Sequence, residues 1–430
     1  MGNLVPKGWA YPKLKAVVKY QKGKKPKILK DEPFSNSEPY LDIKAFEKDE
    51  IRRYADVDSS HLIHEKEIGI VWDGARSGWV GMNKKGAVGS TIAILRPLMI
   101  NEIYLFRFLQ SKFNYINENT RGSGIPHVDP QVLWDIDFPL PPRAEQDRIV
   151  AKVDALMTQH AAIQQAMYRI PQLLKDFRQQ VLTQAVTGKL TEEWRAGKEL
   201  EEWKVVDLEF VANIIDPHPS HRMPPIVQGG VPYVSIKDVG SNGKVNLDEA
   251  RPVANQVLED HIKRYELQIG DFGFGKVGTL GKPFLLPEFN SRMYALSYNI
   301  ILIQPRRDCV PKFIFYFMDS PIMLKKLREE TKATSQPALG IKKARLFPTP
   351  LPSFLEQQEI VRRVESLFEK ATAIEQRYEQ LKSQIDTLPQ SILHKAFKGE
   401  LVEQLDSDGS AMQLLEEIEG LKREKKNSVS

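Results

Sequence analysis

The sequence contains one segment twice, and this duplication limits the folds open to the chain. The stretch FPLPPRAEQDRIVAKVDAL begins at Phe138, and the variant TPLPSFLEQQEIVRRVESL begins at Thr349, at an offset of 211 residues without a gap. Identical residues recur at this offset as far as Leu190 and Leu401, so the repeat covers about fifty residues. Self-similarity at a fixed offset indicates repeated architecture. The chain is therefore expected to contain one structural unit twice.

Each copy has the apolar spacing of a coiled-coil helix. In the second copy, apolar residues recur at alternating steps of four and three from Ile360 to Ile392. The first copy has the same rhythm from Ile149 to Val181, with His160 at one position of the stripe. This spacing predicts helices of about 40 residues, roughly 60 Å long at 1.5 Å per residue. A single stripe is usually the buried face of an ordinary core helix, but two matched stripes predict that the helices pair with each other.

Start and stop signals bound both helices. Glu145 and Glu356 stand near the predicted starts, and Gly188 and Gly399 follow the predicted ends. Acidic first turns and terminal glycines are typical of these positions. The stripes also contain prolines at non-equivalent places, Pro171 and Pro389. Each helix is expected to be kinked or interrupted at its proline.

The segments that precede the two helices correspond at a few aligned residues and differ in most of their sequence. Trp9 in KGWAYPKL corresponds to Trp203 in EEWKVVDL, at an offset of 194 residues. Short β-branched or aromatic runs bounded by turn residues, such as STIAILRPL and YNIILIQP, predict short strands. The predicted fold class is α+β, with two β-rich globular domains separated by two long helices. The predicted boundaries are 1–138 and 199–349 for the domains, 139–198 for the central helix, and 350–430 for the distal helix and C-terminal tail.

Composition limits where the protein can act and which partners its surface can bind. No apolar run approaches the ~18 residues of a membrane span, and the first residues have neither a secretory signal nor a myristoylation signal. Cys309 is the single cysteine, which excludes a disulfide framework and favours a reducing cytoplasm. Net charge is only +5, yet residues 1–30 contain nine lysines and no acidic residue. This run is either a solvated face or a phosphate-contacting surface.

Catalytic motifs are weak. GFGKVG matches the dinucleotide pattern at Gly273, Gly275 and Gly278, but TLGKPFLLP follows and reads as turn and strand where such a site needs a helix. DPHPS at Asp216 has histidine where the loop of amino-methyltransferases has its second proline, and no aromatic residue follows. There is no P-loop, and the paired histidines lack carboxylates at metal-ligand spacing. The residues favour a DNA-reading role over a catalytic one.

The whole pattern resembles the specificity subunit of type I restriction-modification enzymes. The resemblance is carried by the two PLP…EQ…IV…V…L segments at Pro139 and Pro350, by the helix ends AVTGKL and AFKGEL, and by a tryptophan near the start of each domain. It implies two target-recognition domains held by an antiparallel coiled coil, with a pseudo-two-fold internal repeat. Each domain would read one half of a split, asymmetric double-stranded DNA site.

The resemblance also implies that chemistry belongs to partner subunits. Two modification (methyltransferase) subunits would hold S-adenosylmethionine, and restriction (motor-nuclease) subunits would use ATP and Mg. This chain would bind no cofactor or metal, would catalyse nothing itself, and would act in the bacterial cytoplasm as part of a defence system.

Candidate DNA contacts are the polar and basic loop residues of both domains. The loops RGSGIP and ATSQPA occupy equivalent places, with Pro126 over Pro337, which indicates either a shared DNA-contacting role or a shared structural turn. In the first domain the candidates are Lys22, Lys24, Lys25, Lys27, Arg76, Ser77 and Arg121. In the second domain they are His221, Arg222, Lys276, Arg292, Lys332, Ser335 and Gln336.

Two other functions remain open from the sequence. One is a stand-alone methyltransferase or nuclease, which requires GFGKVG to bind adenosylmethionine. The other is a helical scaffold that assembles proteins without reading DNA.

Overall fold

A computed structural model describes residues 6–122, 124–220, 222–240, 243–277, 281–289, 292–331 and 338–427. The chain forms two compact units, one of residues 1–167 with 380–430 and the other of residues 168–379. Each unit therefore contains one globular domain and a segment of each long helix.

The elements that begin in the first part of the chain are short strands and helices followed by one long helix. The strands are β1 (Val18–Lys22), β2 (Leu29–Lys30), β3 (Ser37–Leu41), β4 (Tyr54–Asp56), β5 (Leu62–Ile63), β6 (Ile68–Val71), β7 (Val80–Met82), β8 (Gly86–Val88) and β9 (Ile92–Pro97). The helices are α1 (Leu14–Val17), α2 (Ile43–Lys48), α3 (Glu102–Ser111), α4 (Phe113–Glu118), α5 (Pro130–Trp134) and α6 (Arg143–Tyr168).

The remaining elements follow the same plan. The strands are β10 (Lys204–Asp207), β11 (Ala212–Ile215), β12 (Val231–Val234), β13 (Arg251–Val253), β14 (Phe272–Gly275), β15 (Pro283–Leu285), β16 (Ala295–Leu296), β17 (Ile300–Pro305) and β18 (Pro348–Leu351). The helices are α7 (Ile170–Val186), α8 (Glu192–Arg195), α9 (Leu208–Val211), α10 (Asn255–Ile262), α11 (Pro311–Met318), α12 (Pro321–Thr331), α13 (Ile341–Arg345), α14 (Phe354–Phe397) and α15 (Ala411–Asn427).

The two units have the same antiparallel core sheet. Its strand order is β1-β9-β6-β7 in the first unit and β11-β17-β14-β15 in the second. Gly69 on β6 pairs with Ile94 of β9, and Gly273 on β14 pairs with Leu302 of β17. The two glycines therefore occupy equivalent positions in the two sheets. A Cβ at Gly69 would lie 2.1 Å from Phe46 Cζ, and a Cβ at Gly273 would lie 2.1 Å from Phe284 Cζ. Both sheets therefore use a glycine to seat an aromatic ring against the strand.

The repeated Glu-Gln pair ties each long helix to its domain. The Trp9 indole Nε1 donates to Glu145 Oε2 at 3.0 Å, and the Trp203 Nε1 donates to Glu356 Oε2 at the same distance. Both carboxyl groups are buried. Burial raises the pKa of Glu145, and the indole hydrogen bond opposes that rise by favouring the charged form.

The glutamine of each pair joins the helix to two backbone groups. Gln146 donates to Pro141 O at 3.0 Å and accepts from Asn101 N at 2.8 Å. Gln357 donates to a carbonyl oxygen and accepts from Val310 N at the same two distances. The duplicated sequence therefore encodes the same joint in both units.

The helix segments are antiparallel within each unit, which confirms the predicted coiled-coil pairing. In the first unit, Arg148 contacts Asp408, and His160 lies next to Ile385, so partner numbers fall as helix numbers rise. In the second unit, the Arg178 guanidinium lies 3.0 Å from the Glu375 carboxylate. In the same unit, Arg363 donates to Leu190 O at 2.9 Å. Partner numbers therefore fall as helix numbers rise in this unit as well.

The apolar stripe is not buried throughout. It is buried next to the globular domains, at positions such as Val153 and Val364. Near the middle of the predicted helices it is partly exposed, and the exposed fraction reaches 44% at Ile163, 38% at Phe177 and 54% at Ile374. The heptad pattern therefore predicts the pairing correctly but overstates its burial.

The two prolines have different effects. The first repeat helix is interrupted between Tyr168 and Ile170, just before Pro171, as predicted. The second helix continues through Pro389, which lies inside α14. Proline has no N–H to donate to the carbonyl four residues earlier, which belongs to Ile385. The buried His160 places its Nε2 2.9 Å from that carbonyl oxygen and takes the missing donor's place.

The C-terminal helix completes the first unit. Ala411 N donates to Gly8 O at 3.0 Å, and Lys422 Nζ donates to Lys15 O at 2.7 Å. Ile418 on this helix is fully buried. Among the described residues, no helix is both long and apolar enough to cross a membrane.

Candidate nucleic-acid interface

The lysine-rich loop after β1 projects its charges into solvent. Gly23 N donates to Ile92 O at 2.9 Å, and a Cβ at Gly23 would lie 2.2 Å from Gly89 O, so the backbone is held tightly against the sheet. Only glycine fits there. The predicted lysines of this loop are all exposed: Lys22, Lys24, Lys25 and Lys27.

Lys22 lies beside two polar residues that the sequence did not single out, Asp73 and His127. Its Nζ is 3.6 Å from Asp73 Oδ2 and 5.8 Å from the centre of the Trp72 ring. His127 Nδ1 is 2.7 Å from Asp73 Oδ1. Asp73, two residues after β6, therefore joins the lysine loop to the loop that precedes α5.

Three aromatic rings pack together beside Lys22 and Asp73. The Tyr20 ring lies 5.0 Å from Trp72 and 5.2 Å from Trp134, measured between ring centres. Burial raises the pKa of Tyr20, and the nearby Asp73 carboxylate raises it further, so the phenol stays neutral at physiological pH. Within this cluster, the Trp72 ring lies beneath the Lys22 ammonium group.

Arg76 and Ser77 occupy the loop after β6 in different ways. The Arg76 guanidinium lies 3.3 Å from Glu47 and stacks over the rings of Trp79 and Phe113, at 5.9 and 5.8 Å. Its side chain is nevertheless half exposed.

Ser77 is fully buried, contrary to the expectation of an outward-facing side chain. Its hydroxyl lies 2.6 Å from Gly74 O and 3.1 Å from Pro126 O. It therefore holds the Arg76 loop against the loop that contains Pro126, and direct DNA contact by Ser77 would require this loop to open.

Arg121 belongs to the same loop cluster. It forms an isolated antiparallel bridge with His127, and its guanidinium pairs with Asp129 while remaining 57% exposed. The first domain thus brings the loops around residues 22, 73 and 121 into one charged surface.

The predicted cations of the second domain are less exposed or already paired. Lys276 is only 7% exposed, and its Nζ lies 2.8 Å from Asp216 Oδ2. The exposed Arg292 lies 2.6 Å from Asp248. Contact between Lys276 and DNA would therefore require its ion pair with Asp216 to open.

Arg222 lies on a loop held by histidines. His218 Nε2 lies 3.1 Å from Arg222 O, and His218 Nδ1 lies 3.2 Å from His261 Nε2. The Tyr265 hydroxyl lies 3.1 Å from the other nitrogen of His261. Burial lowers the pKa of His261 to about 4, and the neighbouring His218 and Arg264 lower it in the same direction. His261 is therefore neutral at pH 7 and can relay hydrogen bonds from the phenol to the loop.

Four of the predicted contacts lie outside the described residues: His221, Lys332, Ser335 and Gln336. Gly278 of the GFGKVG motif also lies outside them. Gly273 and Gly275 belong to β14, and the next described element, β15, is a strand. This order contradicts the adenosylmethionine reading of the motif, because a strand stands where the phosphate-binding helix is required.

One of the two missed residues, His127, could have been found in the sequence. The offset that aligns Pro126 with Pro337 also aligns His127 with Ala338, one residue further on. The two copies of the repeat carry unlike residues at this aligned position, and such a difference indicates a residue that the shared fold does not require. Asp73 offered no such signal, because its pairing with His127 exists only after folding.

Two copies of one sheet-and-helix frame, with different side chains on their loops, define a two-domain protein with an internal repeat. A family model described as the type I restriction modification DNA specificity domain matches residues 6–170 and 200–383. The chain therefore belongs to the type I restriction-modification DNA specificity family. It is a DNA-recognition subunit with two recognition domains, as the sequence predicts.

Individual proteins agree with this assignment. The chain is 32% identical over 347 residues to the type I restriction enzyme EcoKI specificity subunit of Escherichia coli K12, covering 77% of this chain and 74% of that protein. It is 31% identical over 341 residues to the EcoBI specificity subunit of Escherichia coli, covering 74% and 71%. The crystal structure of the HsdS subunit from Thermoanaerobacter tengcongensis has the same fold, with a TM-score of 0.63, 19% identity, and coverage of 92% of this chain and 98% of that one.

Proposed function

We propose that this chain reads a split, asymmetric DNA site, one half with each domain, and directs partner subunits to it. The observation that carries this proposal is the shared core sheet and shared Glu-Gln joint of the two units, combined with different loop side chains. Equivalent frames present their loops in equivalent ways, and different side chains then select different bases. The two halves of the site would therefore differ in sequence.

The domain boundaries belong to this proposal. We assign the two recognition domains to residues 1–138 and 199–349, and the helices that set the unread gap to residues 139–198 and 350–430. Half-site separation must match the helical repeat of DNA, roughly 34 Å per turn, for both domains to address one face of the duplex. We assign the setting of this separation to the paired helices.

The exposed lysine loop supports backbone binding. We assign phosphate contacts to Lys24, Lys25 and Lys27, whose side chains are exposed on a tightly held loop. Phosphate contacts position a protein on DNA without reading sequence. The half-exposed Arg76 and Arg121 stand at the same surface and are assigned to the same interface.

The partners would be two modification subunits that hold S-adenosylmethionine and restriction subunits that use ATP and Mg, acting in the cytoplasm. The helices support this assignment because apolar side chains remain exposed on them. In the second unit, Leu173 is 62% exposed and Tyr168 84% exposed. Exposed apolar patches typically mark interaction surfaces.

We expect Leu173→Asp to weaken co-purification of the modification subunit, whereas Lys175→Asp, at another exposed position of the same helix, should not.

The test of the proposed function is methylation mapping by single-molecule sequencing. Cells express the modification subunit with this chain or without it. The proposal predicts one split motif that is methylated only when the chain is present. Identical methylation in both samples, with a demonstrably active modification subunit, would exclude a specificity role and favour a scaffold.

A further inference from the structure

The core sheets of the two units end at equivalent positions. In the first unit, Val128 N donates to Trp72 O at 2.8 Å, immediately after β6. In the second unit, Leu339 N donates to Lys276 O at 2.9 Å, immediately after β14. The same backbone hydrogen bond thus joins the end of β6 to the segment before α5 and the end of β14 to the segment before α13.

The adjacent positions are also equivalent but carry unlike side chains. Isolated antiparallel bridges join Asp73 to His127 in the first unit and Val277 to Ala338 in the second. The first bridge carries a carboxylate and an imidazole whose Oδ1 and Nδ1 atoms are 2.7 Å apart. The second bridge carries two small apolar side chains. An identical piece of backbone therefore presents a polar pair in one domain and an apolar pair in the other.

The charge arrangement beside these bridges is inverted. β1 and β11 pair with β9 and β17 in the same register, so Lys22 at the end of β1 corresponds to Asp216 just after β11. Lys22 Nζ lies 3.6 Å from Asp73, whereas Asp216 lies 2.8 Å from Lys276 Nζ. The cation stands on the first strand in one domain and after the third strand in the other. The two domains therefore present opposite charges at equivalent positions of the first strand.

His127 has the geometry of a residue that contacts a ligand outside the protein. Its side chain is 48% exposed, while Asp73 is only 18% exposed. An ionised carboxylate can only accept, so His127 Nδ1 donates to Asp73, and in the neutral tautomer that this bond selects Nε2 is an acceptor on the opposite edge of the ring. The ring is thereby fixed in tautomer and orientation before any DNA arrives. The lysine loop beside it provides the positive charge that a DNA-facing site requires.

We propose that His127, positioned by Asp73, contacts a base edge in the half-site read by the first domain. The acceptor Nε2 matches an exocyclic amino group in the major groove, which is N4 of cytosine or N6 of adenine. Asp73 is a positioning residue, because it acts through the imidazole. The equivalent bridge of the second domain lacks both groups and therefore reads its half-site with other side chains. This inference rests on the proposed function.

The test compares methylation motifs in cells that express the modification subunit with wild-type chain, His127→Ala, His127→Gln, or the graft Asp73→Val with His127→Ala. The graft installs the residues of the equivalent bridge, whose backbone accepts them. Lys25→Ala is the matched control, because it removes a neighbouring exposed cation. Thermal unfolding of each purified complex establishes that the variants fold, and selection of bound DNA from a randomised pool reads specificity without requiring methyl transfer.

The inference predicts relaxed or altered preference at one base pair of one half-site, at least tenfold in relative frequency, with the other half-site unchanged. Lys25→Ala should reduce binding to all sequences without changing the motif. Folded His127 variants and a folded graft that select the wild-type motif with unchanged base frequencies would overturn the inference, as would a change confined to the half-site read by residues 199–349. A wild-type chain that produces no split motif would instead contradict the proposed function itself.

Discussion

Glu356 is a buried carboxylate that collects donors from one short segment of the second unit. It accepts from Thr191 Oγ1 at 2.7 Å, Arg195 at 2.6 Å and Trp203 Nε1 at 3.0 Å. Glu356→Ala would leave these groups without their acceptor, and removing one partner of a buried ion pair typically costs about 3–5 kcal/mol. We expect a loss of that size in the free energy of unfolding of the second unit, measured by urea denaturation. The exposed Glu369 on the same helix is the control, where Ala should change stability by less than about 0.5 kcal/mol; equal losses at both sites would contradict this account.

His261 predicts a pH dependence for the second unit. Its folded-state pKa is about 4, against an ordinary value of 6.5, because burial and the neighbouring His218 and Arg264 disfavour the charged form. The unfolded chain therefore binds more protons between pH 4 and 6.5, and stability that is fully present above pH 6.5 is lost as the pH falls toward 4. A shift of this size corresponds to about 3 kcal/mol. His261→Phe should flatten that part of the stability profile, whereas the exposed His394→Phe should not.

His160 and Pro389 form a coupled pair at the scale of the helices. His160 provides the donor that Pro389 denies to Ile385 O. His160→Ala should therefore cost about 1–3 kcal/mol in the wild-type background, because the carbonyl loses its partner. In a Pro389→Ala background the helix supplies its own N–H, so the same substitution should cost at least about 1 kcal/mol less. Additive effects in this double-mutant cycle, measured on the unfolding of the first unit, would show that the histidine only fills space.

Local patterns predicted the elements well because they depend on neighbours in sequence. The heptad rhythm predicted both long helices, the glycines after them predicted where the helices end, and the run YNIILIQP predicted the central strand β17, whose first residues are fully buried. Contacts between residues far apart in the sequence could not be predicted from local patterns. Trp9 and Glu145 were both recognised as repeated residues, yet their hydrogen bond spans 136 positions. Ser77 was predicted to contact DNA as a polar loop residue, and only the folded structure shows that three backbone carbonyl oxygens surround its hydroxyl.

At the scale of the whole molecule, the C-terminal helix is part of the first unit, although this helix begins at Ala411 and the first strand of the unit, β1, ends at Lys22. Ile418 is fully buried, whereas Met412 on the same helix is 54% exposed. Ile418→Asp buries an unpaired charge and should destabilise the first unit by more than about 3 kcal/mol. Met412→Asp should be nearly neutral. Calorimetry that shows equal shifts for the two variants would mean that this helix does not support the first unit.

Independent reading by the two domains is the central claim, and exchange of one domain tests it most directly. Residues 1–138 are replaced by the corresponding segment of a family member with a different target, and methylated sites are mapped in cells that express the modification subunit. The account predicts a hybrid motif, in which one half and only one half changes and the gap between the halves keeps its length. A motif that changes in both halves, or that keeps both halves unchanged, would contradict it.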